Sequence, residues 1–380
     1  MNSGRASLAS SPHGRRRWRG CWALALALAL VLAPAALARG PWRATGKLRT
    51  ARYLGTATLL RDGRVLAAGG FGFSPLTSAE VYDPARGRWS GAPPLVSPRF
   101  AHTATLLADG SVLLVGGDNL TVGYLNTAER YFPQTRTWVP AGRLSLRRDN
   151  HTATLLRDGR VLVVGGLNRS GPGLRSAEIY DPATNRWSRV ARMRTPRFHH
   201  TATLLRDGRV LVVGGQQVVG GGSRLLASAE VYDPVRNRWR SAARLPAPLA
   251  NHTATLLSDG RVLVAGGGDR APGFLSRAEL YDARRNRWTR TGSLRYARGF
   301  HVALRLRSGR VLVAGGINDH GGVDRGELYL PRFRRWIPAG RLLPAAGRRM
   351  AVLLGDGRAL VVGGQTYAGV PVAAAALFRP

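Results

Sequence analysis

One short motif recurs along almost the whole chain. Gly-Gly pairs stand at Gly69-Gly70, Gly116-Gly117, Gly165-Gly166, Gly214-Gly215, Gly266-Gly267, Gly315-Gly316 and Gly363-Gly364, at intervals of 47 to 52 residues. Each closes an apolar run such as Val161-Leu162-Val163-Val164. Each run follows a turn, Asp-Gly in six copies and Ser308-Gly309 in the other. Before the turn lies a short alternating segment such as His151-Thr152-Ala153-Thr154-Leu155-Leu156. Asp-Gly between two such runs predicts a β-hairpin, with both turn residues at positive φ. A repeat of this length restricts the chain to repeat architectures.

The second half of each unit is equally regular. Tyr82, Tyr131, Tyr180, Tyr232, Tyr281 and Tyr329 sit in Glu-x-Tyr segments, and seven residues later come Trp89, Trp138, Trp187, Trp239, Trp288 and Trp336. A unit therefore holds four strands: a (the His-Thr-Ala-Thr run), b (ending in Gly-Gly), c (with Glu-x-Tyr) and d (with Trp). No stretch carries a sustained helical period. Four-stranded units with glycine and aromatic marks predict propeller blades, which bury both faces against their neighbours. The seventh unit stops at Pro380, before any tryptophan strand, and an orphan copy occurs in Pro41-Trp42-Arg43-Ala44. The expectation is an all-β, seven-bladed propeller with four-stranded blades, the last closed by the N-terminal strand.

The combination of Gly-Gly, Glu-x-Tyr-Asp and Trp resembles the Kelch repeat, in the group that includes the galactose-oxidase-like propellers. The resemblance covers about residues 40–380. It implies the fold strongly and the function weakly, since such propellers serve as interaction modules, cytoskeletal binders and copper-radical oxidases. Those oxidases use a tyrosine cross-linked to a cysteine, with further Tyr and His ligands. The single cysteine here, Cys21, precedes the repeats, so the resemblance implies the fold without that copper-radical site. No cofactor and no metal are expected.

Residues 1–38 read as a signal peptide and 39–380 as the propeller. Arg15, Arg16, Arg17 and Arg19 precede the apolar run Cys21 to Leu32, and Ala36-Leu37-Ala38 offers a small-x-small cleavage site. Cleavage there leaves 342 residues without cysteine and, with the five arginines of that segment removed, lowers the net charge from +36 to +31. No transmembrane segment is expected after cleavage. The protein is expected to be secreted, periplasmic or at the cell surface, as a monomer. Lys47 is its only lysine, which points to GC-rich, bacterial coding.

Candidate functional residues come from the repeat positions. Strand a opens with His102, His151, His200, His252 and His301, with Gly55 and Arg349 in the other blades. With strand a innermost, these histidines approach the axis mouth as a ring. Structural hydrogen bonding is the expected role, because metal ligands must converge near the ion. Three residues before that position stand Arg52, Arg99, Arg148, Arg197 and Arg298, with Leu249 and Ala346 in the other two blades. They lie in the d-to-a connections, on the same face as the b-to-c loops 71–77, 118–126, 167–175, 216–227, 268–276, 317–325 and 365–371. The loop of blade 4, with Gly220-Gly221-Gly222, is the longest and is read as mobile. These five arginines are the binding-face candidates, the alternative being that they bridge loops internally.

The strand-c glutamates (Glu80, Glu129, Glu178, Glu230, Glu279 and Glu327) are expected to pair with strand-b arginines such as Arg64, or to cap backbone. Asp118, Asp269, Asp319, His320 and Asp324 are loop acids and bases with an expected turn-stabilising role. Asn150 and Asn251, in acceptor-like triplets beside the repeated His-Thr, read as structural.

No hydrolase elbow, HExxH motif or Cys–His dyad occurs. The charge attracts acidic proteins, anionic polysaccharides or cell surfaces, and nucleic acid only non-specifically. The leading expectation is therefore a secreted, non-enzymatic binding module for an acidic protein or anionic polymer. The alternative is an extracellular carbohydrate-acting enzyme with its site on the b–c and d–a loop face.

Overall fold

The repeated turn sets the hairpin geometry. Across Arg157-Asp158-Gly159 the Leu156 N–H donates to the Arg160 carbonyl at 2.8 Å and the Leu156 carbonyl accepts from the Gly159 N–H at 3.2 Å, and Gly159 alone of the three is left-handed, at φ 84°. The hairpin is thus a three-residue loop ending in a left-handed glycine, and not a two-residue turn with both residues at positive φ. Asp158 takes its place by accepting from the Arg160 N–H with Oδ1 and pairing with the Arg160 guanidinium through Oδ2.

A computed structural model describes residues 40–169, 171–269 and 273–380; the expected signal peptide lies outside them. Blade 1 consists of Thr56–Leu59, Val65–Ala68, Ala79–Asp83 and Arg88–Ala92, hydrogen-bonded antiparallel in that order. Blades 2 to 6 repeat this order, with strand a at Thr103–Leu106, Thr152–Leu155, Thr201–Leu204, Thr253–Leu256 and Val302–Arg305. Blade 7 is Met350–Leu353, Ala359–Val362 and Ala375–Phe378, completed by Trp42–Thr45. In that closure Trp42 lies opposite Phe378 and Thr45 opposite Ala375. The seven-bladed propeller with its N-terminal clasp is as expected from the repeats.

Strand b is buried throughout in every blade. It lies between neighbouring blades, so both of its faces are covered, and continuous Val/Leu runs suit it better than alternation. One interblade cluster joins Leu162 and Val164 of blade 3 to Val210, Val212, Tyr232 and Trp239 of blade 4. Each such side chain contributes about 1.5–3 kcal/mol relative to exposure.

The Gly-Gly pairs permit close backbone approach. A Cβ on Gly165 would lie 2.6 Å from the Arg197 carbonyl oxygen, and one on Gly166 would lie 2.5 Å from that of Asp149. The Gly166 N–H uses this proximity to donate to the Arg197 carbonyl at 2.9 Å, tying blade 3 to blade 4. The longest b–c loop, in blade 4, is a two-stranded ribbon, Gln216–Val219 against Gly222–Leu225.

Candidate functional site

Each blade enters strand a through a tetrapeptide: Arg52-Tyr53-Leu54-Gly55, Arg99-Phe100-Ala101-His102, Arg148-Asp149-Asn150-His151, Arg197-Phe198-His199-His200, Leu249-Ala250-Asn251-His252, Arg298-Gly299-Phe300-His301 and Ala346-Gly347-Arg348-Arg349. Its outer positions are scaffold. Arg52, Arg99, Arg148, Arg197 and Arg298 are each 0% exposed. Arg52 donates to the Gly69 and Ser78 carbonyls at 2.8 Å and to Glu80 Oε1 at 2.8 Å. Glu80 also accepts from the Arg49 and Thr50 N–H groups, at 2.8 and 3.2 Å. The ion pair recurs as Arg99–Glu129, Arg148–Glu178, Arg197–Glu230 and Arg298–Glu327. The binding-face reading of these arginines is thus corrected: they bridge loops inside the fold, where no ligand reaches them. The Arg64 reading is corrected too, since Arg64 pairs with Asp62 and leaves Glu80 to Arg52.

The histidine ring is likewise internal. His102, His151, His200, His252 and His301 are 5–7% exposed. Each uses Nε2 on the strand-a threonine of the preceding blade: Thr56, Thr103, Thr152, Thr201 and Thr253, at 2.8–3.2 Å. Burial drives their pKa values down, to about 3 for His102 and His252, so they stay neutral. They staple strand a of adjacent blades and do not open onto the axis mouth.

The inner two positions form the mouth. The second pairs with the first residue of its b–c loop, as Phe100 with Asp118, Phe198 with Gln216 and Gly347 with Gln365. The third is left-handed in all seven blades: Leu54, Ala101, Asn150, His199, Asn251, Phe300 and Arg348 have φ between 46° and 55°. None is glycine, and non-glycine residues reach this region at a cost of order 1 kcal/mol each. Their backbones form a chain around the axis. Each N–H from Ala101 to Arg348 donates to the carbonyl of the preceding blade's member, at 2.8–3.3 Å. Ala101 is buried and the other six are partly exposed.

Side chains at these positions differ from blade to blade and gather on one arc. His199 Nδ1 lies 3.3 Å from Gln216 Nε2, and its ring meets that of Phe300 edge-on at 6.2 Å. The Arg348 guanidinium lies 4.7 Å over Phe300 and 5.9 Å from the Tyr53 ring, and donates to Gln365 Oε1 at 2.9 Å. Burial, with Arg348 adding to it, lowers the His199 pKa to about 4. Asp149 is 6% exposed. Its Oδ2 accepts from the Asn150 amide at 2.8 Å. Its Oδ1 and the Gln216 Oε1 are buried without a partner among the described residues. Burial raises the Asp149 pKa to about 7, opposed by the Asn150 bond and reinforced by Asp118.

Blade 7 departs from the scaffold. Ala346 replaces the buried arginine and Ala376 lies where the other blades carry the glutamate. Arg349, in the histidine position, donates to the Gly363 carbonyl at 2.9 Å and to that of Pro344. It is 7% exposed and has no carboxylate partner among the described residues, and burial lowers its pKa to about 10. Arg348 and Arg349 make this side of the mouth the electropositive one.

Among the other candidates, Asp118 accepts from the Leu120 N–H at 2.8 Å and Asp324 pairs with Arg325 and Arg341. Asp319 Oδ2 lies 3.5 Å from the Phe274 N–H, and the His320 N–H donates to Asn318. Asp118 thus supports its own turn, Asp324 is held in ion pairs, Asp319 reaches the loop of the neighbouring blade, and His320 makes its contact through the backbone. The Asp269 side chain lies outside the described residues. Among the described residues no group of three His, Cys, Asp or Glu side chains is placed to hold a metal. With the histidine ring committed to threonines and no cysteine beyond Cys21, the residues present do not fit a copper-radical centre. No helix among the described residues is long and apolar enough to cross a membrane.

This architecture is that of a seven-bladed Kelch-type propeller. The Kelch-repeats domain family described as KLHDC2/KLHL20/DRC7 matches residues 55–267 and 101–316, more than half of the chain, and the chain belongs to it. No curated protein sequence matches it. Among solved structures, a fungal alcohol oxidase of the AA5 family, in complex with copper, is similar over 90% of this chain and 76% of its own, at 18% identity and a TM-score of 0.72. The structure of YjhT is similar over 77% of this chain and 99% of its own, at 18% identity and a TM-score of 0.61. The expectation of a non-enzymatic module is corrected by the first of these. The same fold, over nearly the whole propeller, is one that carries oxidase activity.

From sequence alone Asn150 and Asn251 read as structural, His199 falls outside the histidine ring, and Phe300 and Arg348 carry no assigned role. The signal for them was present. Two positions vary freely between two that hardly vary, in seven copies of one tetrapeptide.

Proposed function

We propose that the chain is an extracellular, carbohydrate-acting enzyme that holds an anionic sugar at the axis mouth, on the face of the b–c and d–a loops. The observation that carries this reading is the diversity of the left-handed ring. Scaffold positions repeat from blade to blade, while these partly exposed positions supply an imidazole, two amides, a guanidinium and an aromatic ring. Arg348, with Arg349 behind it, suits a carboxylate. Phe300 and Tyr53 offer apolar faces to a sugar ring. Asn150, Asn251 and Gln365 suit hydroxyl groups. His199, kept neutral, accepts a proton, and Asp149, whose pKa lies near neutrality, holds one beneath the mouth. This set supports acid–base chemistry of the hydrolase or lyase type. The signal-like residues 1–38 support a place of action outside the cytoplasm.

The test is to offer the protein uronate-containing oligosaccharides and their neutral counterparts, following products by mass spectrometry and binding by calorimetry. The acidic sugars should bind and turn over. Arg348→Ala should weaken binding about tenfold or more. His199→Ala should abolish product formation while binding persists. Failure of every sugar to bind, or variants indistinguishable from the native chain, would overturn the reading.

A further inference from the structure

Blade 6 breaks the charge pattern on the face opposite the mouth. In blades 1, 3, 4 and 5 the a–b turn carries an aspartate that pairs with the first strand-b arginine, and strand c ends in a second aspartate. In blade 6 these positions are Ser308 and Leu330. The left-handed position of the c–d turn, asparagine in blades 3 to 5, is Arg334 here, at φ 50°. Those asparagines accept from Tyr180, Tyr232 and Tyr281. Tyr329 turns instead to Thr291, at 2.6 Å. Blade 6 has thus lost two carboxylates and an amide and gained an exposed guanidinium on a left-handed backbone.

The consequence is a cationic groove. Two adjoining clefts, of about 910 and 530 Å³, share Asp259, Arg261 and Arg334 and run across the turns of blades 4, 5 and 6. Eight arginines line them against three aspartates. Arg261 and Arg285 have carboxylate partners. Among the described residues the Arg310 guanidinium has only the Ser308 hydroxyl, at 3.0 Å. Arg332 and Arg334 have no acidic partner among the described residues. Phe333 stands between them, 68% exposed, with the Arg335 guanidinium 5.4 Å from its ring.

We propose that this groove is a second binding site, which holds an anionic polysaccharide chain through Arg310, Arg332 and Arg334 and stacks a sugar on Phe333. Guanidinium forks released from their carboxylates match sulfate or carboxylate groups in pairs of hydrogen bonds. A groove crossing successive turns suits a chain with charge at regular intervals. Single-stranded nucleic acid needs a series of aromatic platforms, and Phe333 is the one aromatic ring lining the two clefts. The site does not depend on the chemistry at the mouth.

The experiment measures binding of a heparin-derived octasaccharide, an octagalacturonate, a neutral oligosaccharide, single-stranded DNA and oligoglutamate to the full chain. The double variant Ser308→Asp/Leu330→Asp rebuilds what other blades already carry and so should fold. It should weaken octasaccharide binding about tenfold or more. Phe333→Ala, which leaves charge alone, should weaken it about fivefold. A control pair, Ala85→Asp/Thr184→Asp, changes net charge equally on turns of blades 1 and 3 and should have little effect. In the Arg348→Ala background, where the mouth no longer contributes, the octasaccharide should still bind and Ser308→Asp/Leu330→Asp should still weaken it about tenfold, which separates failure of the groove from failure of the mouth. Equal loss in the control pair, binding of DNA or oligoglutamate as tight as that of either acidic oligosaccharide, or no acidic oligosaccharide bound, would each overturn the proposal.

Discussion

The indole of Trp42 donates to the carbonyl of Ala339 at 2.7 Å, across 297 residues of chain. The other six blade tryptophans do the same to the preceding blade, as Trp336 to Gly292 at 2.7 Å and Trp89 to Gly46 at 2.8 Å. Trp42 also packs its ring against that of Phe378, tilted, with centroids 5.0 Å apart, as Trp89 does with Tyr82 at 5.1 Å. An N-terminal side chain therefore performs, for blade 7, the contact that every other blade makes with its own fourth strand. This substitution pairs the strand-c edge of blade 7, Ala375–Phe378, which the chain's own C-terminal segment leaves without a fourth strand.

Trp42→Ala should lower stability by about 3 kcal/mol, the low end for a tryptophan truncation because the side chain is only half-buried. Trp239→Ala, a more buried member of the same set, should cost more. Urea unfolding curves of the two variants check this. An unchanged midpoint for Trp42→Ala would mean that the clasp forms without stabilising the ring.

The Arg52–Glu80 pair should behave as a coupled unit. Arg52→Met leaves a buried carboxylate without its cation, which costs about 3–5 kcal/mol. Adding Glu80→Leu should recover part of that loss but not all. Glu80 also caps the Arg49 and Thr50 N–H groups, and each orphaned donor costs about 1–3 kcal/mol. A double-mutant cycle measures the coupling. Full additivity would show the two side chains to be independent.

The fold was legible because its determinants are local and repeated. Asp-Gly, Gly-Gly and the Tyr–Trp spacing each solve one backbone or packing problem, and six or seven copies of each make the pattern plain. Even the clasp could be read, from one missing tryptophan at Pro380 and one extra at Trp42. The site was less legible because recurrence and accessibility were taken together. Arg52 and its equivalents recur because they are buried and bonded to Glu80, whereas a surface ligand is met by residues that need not recur. His199 and His200 are neighbours in sequence with opposite fates, one at the mouth and one on Thr152. Only the left-handed turn between them, which no composition reveals, separates the two. The partner of Glu80 was misassigned for a related reason. Strand adjacency pointed to Arg64, but the Asp62 turn had already taken that guanidinium.

Stability should fall in acid on account of the buried histidines. Their folded pKa values are depressed, to about 3 for His102 and His252, below the unfolded value of about 6.5. In the window between, the unfolded chain binds more protons, so stability present above the unfolded pKa is lost as pH falls toward the folded one. Each group contributes a few kcal/mol at most. The urea midpoint should therefore drop between about pH 6.5 and pH 4. His252→Gln, which keeps a side-chain partner for Thr201, should reduce that slope. An identical slope in the variant would show that His252 does not hold off its proton.

Asp149 should act in the opposite direction. Its folded pKa, about 7, lies above the unfolded value of about 3.9. Between these values the native state binds the extra proton, so stability is lost as pH rises from about 4 to about 7. The histidines pull the other way over part of this window, so the native chain alone would show only the net slope. Asp149→Asn isolates the contribution. The amide preserves size and an acceptor for Asn150, but it does not ionise. Native and variant chains should be nearly equal in stability near pH 4, and the variant should gain by a few kcal/mol toward about pH 8. Parallel curves across this range would mean that Asp149 is already ionised at neutral pH. It could then no longer be the group that holds a proton for chemistry at the mouth.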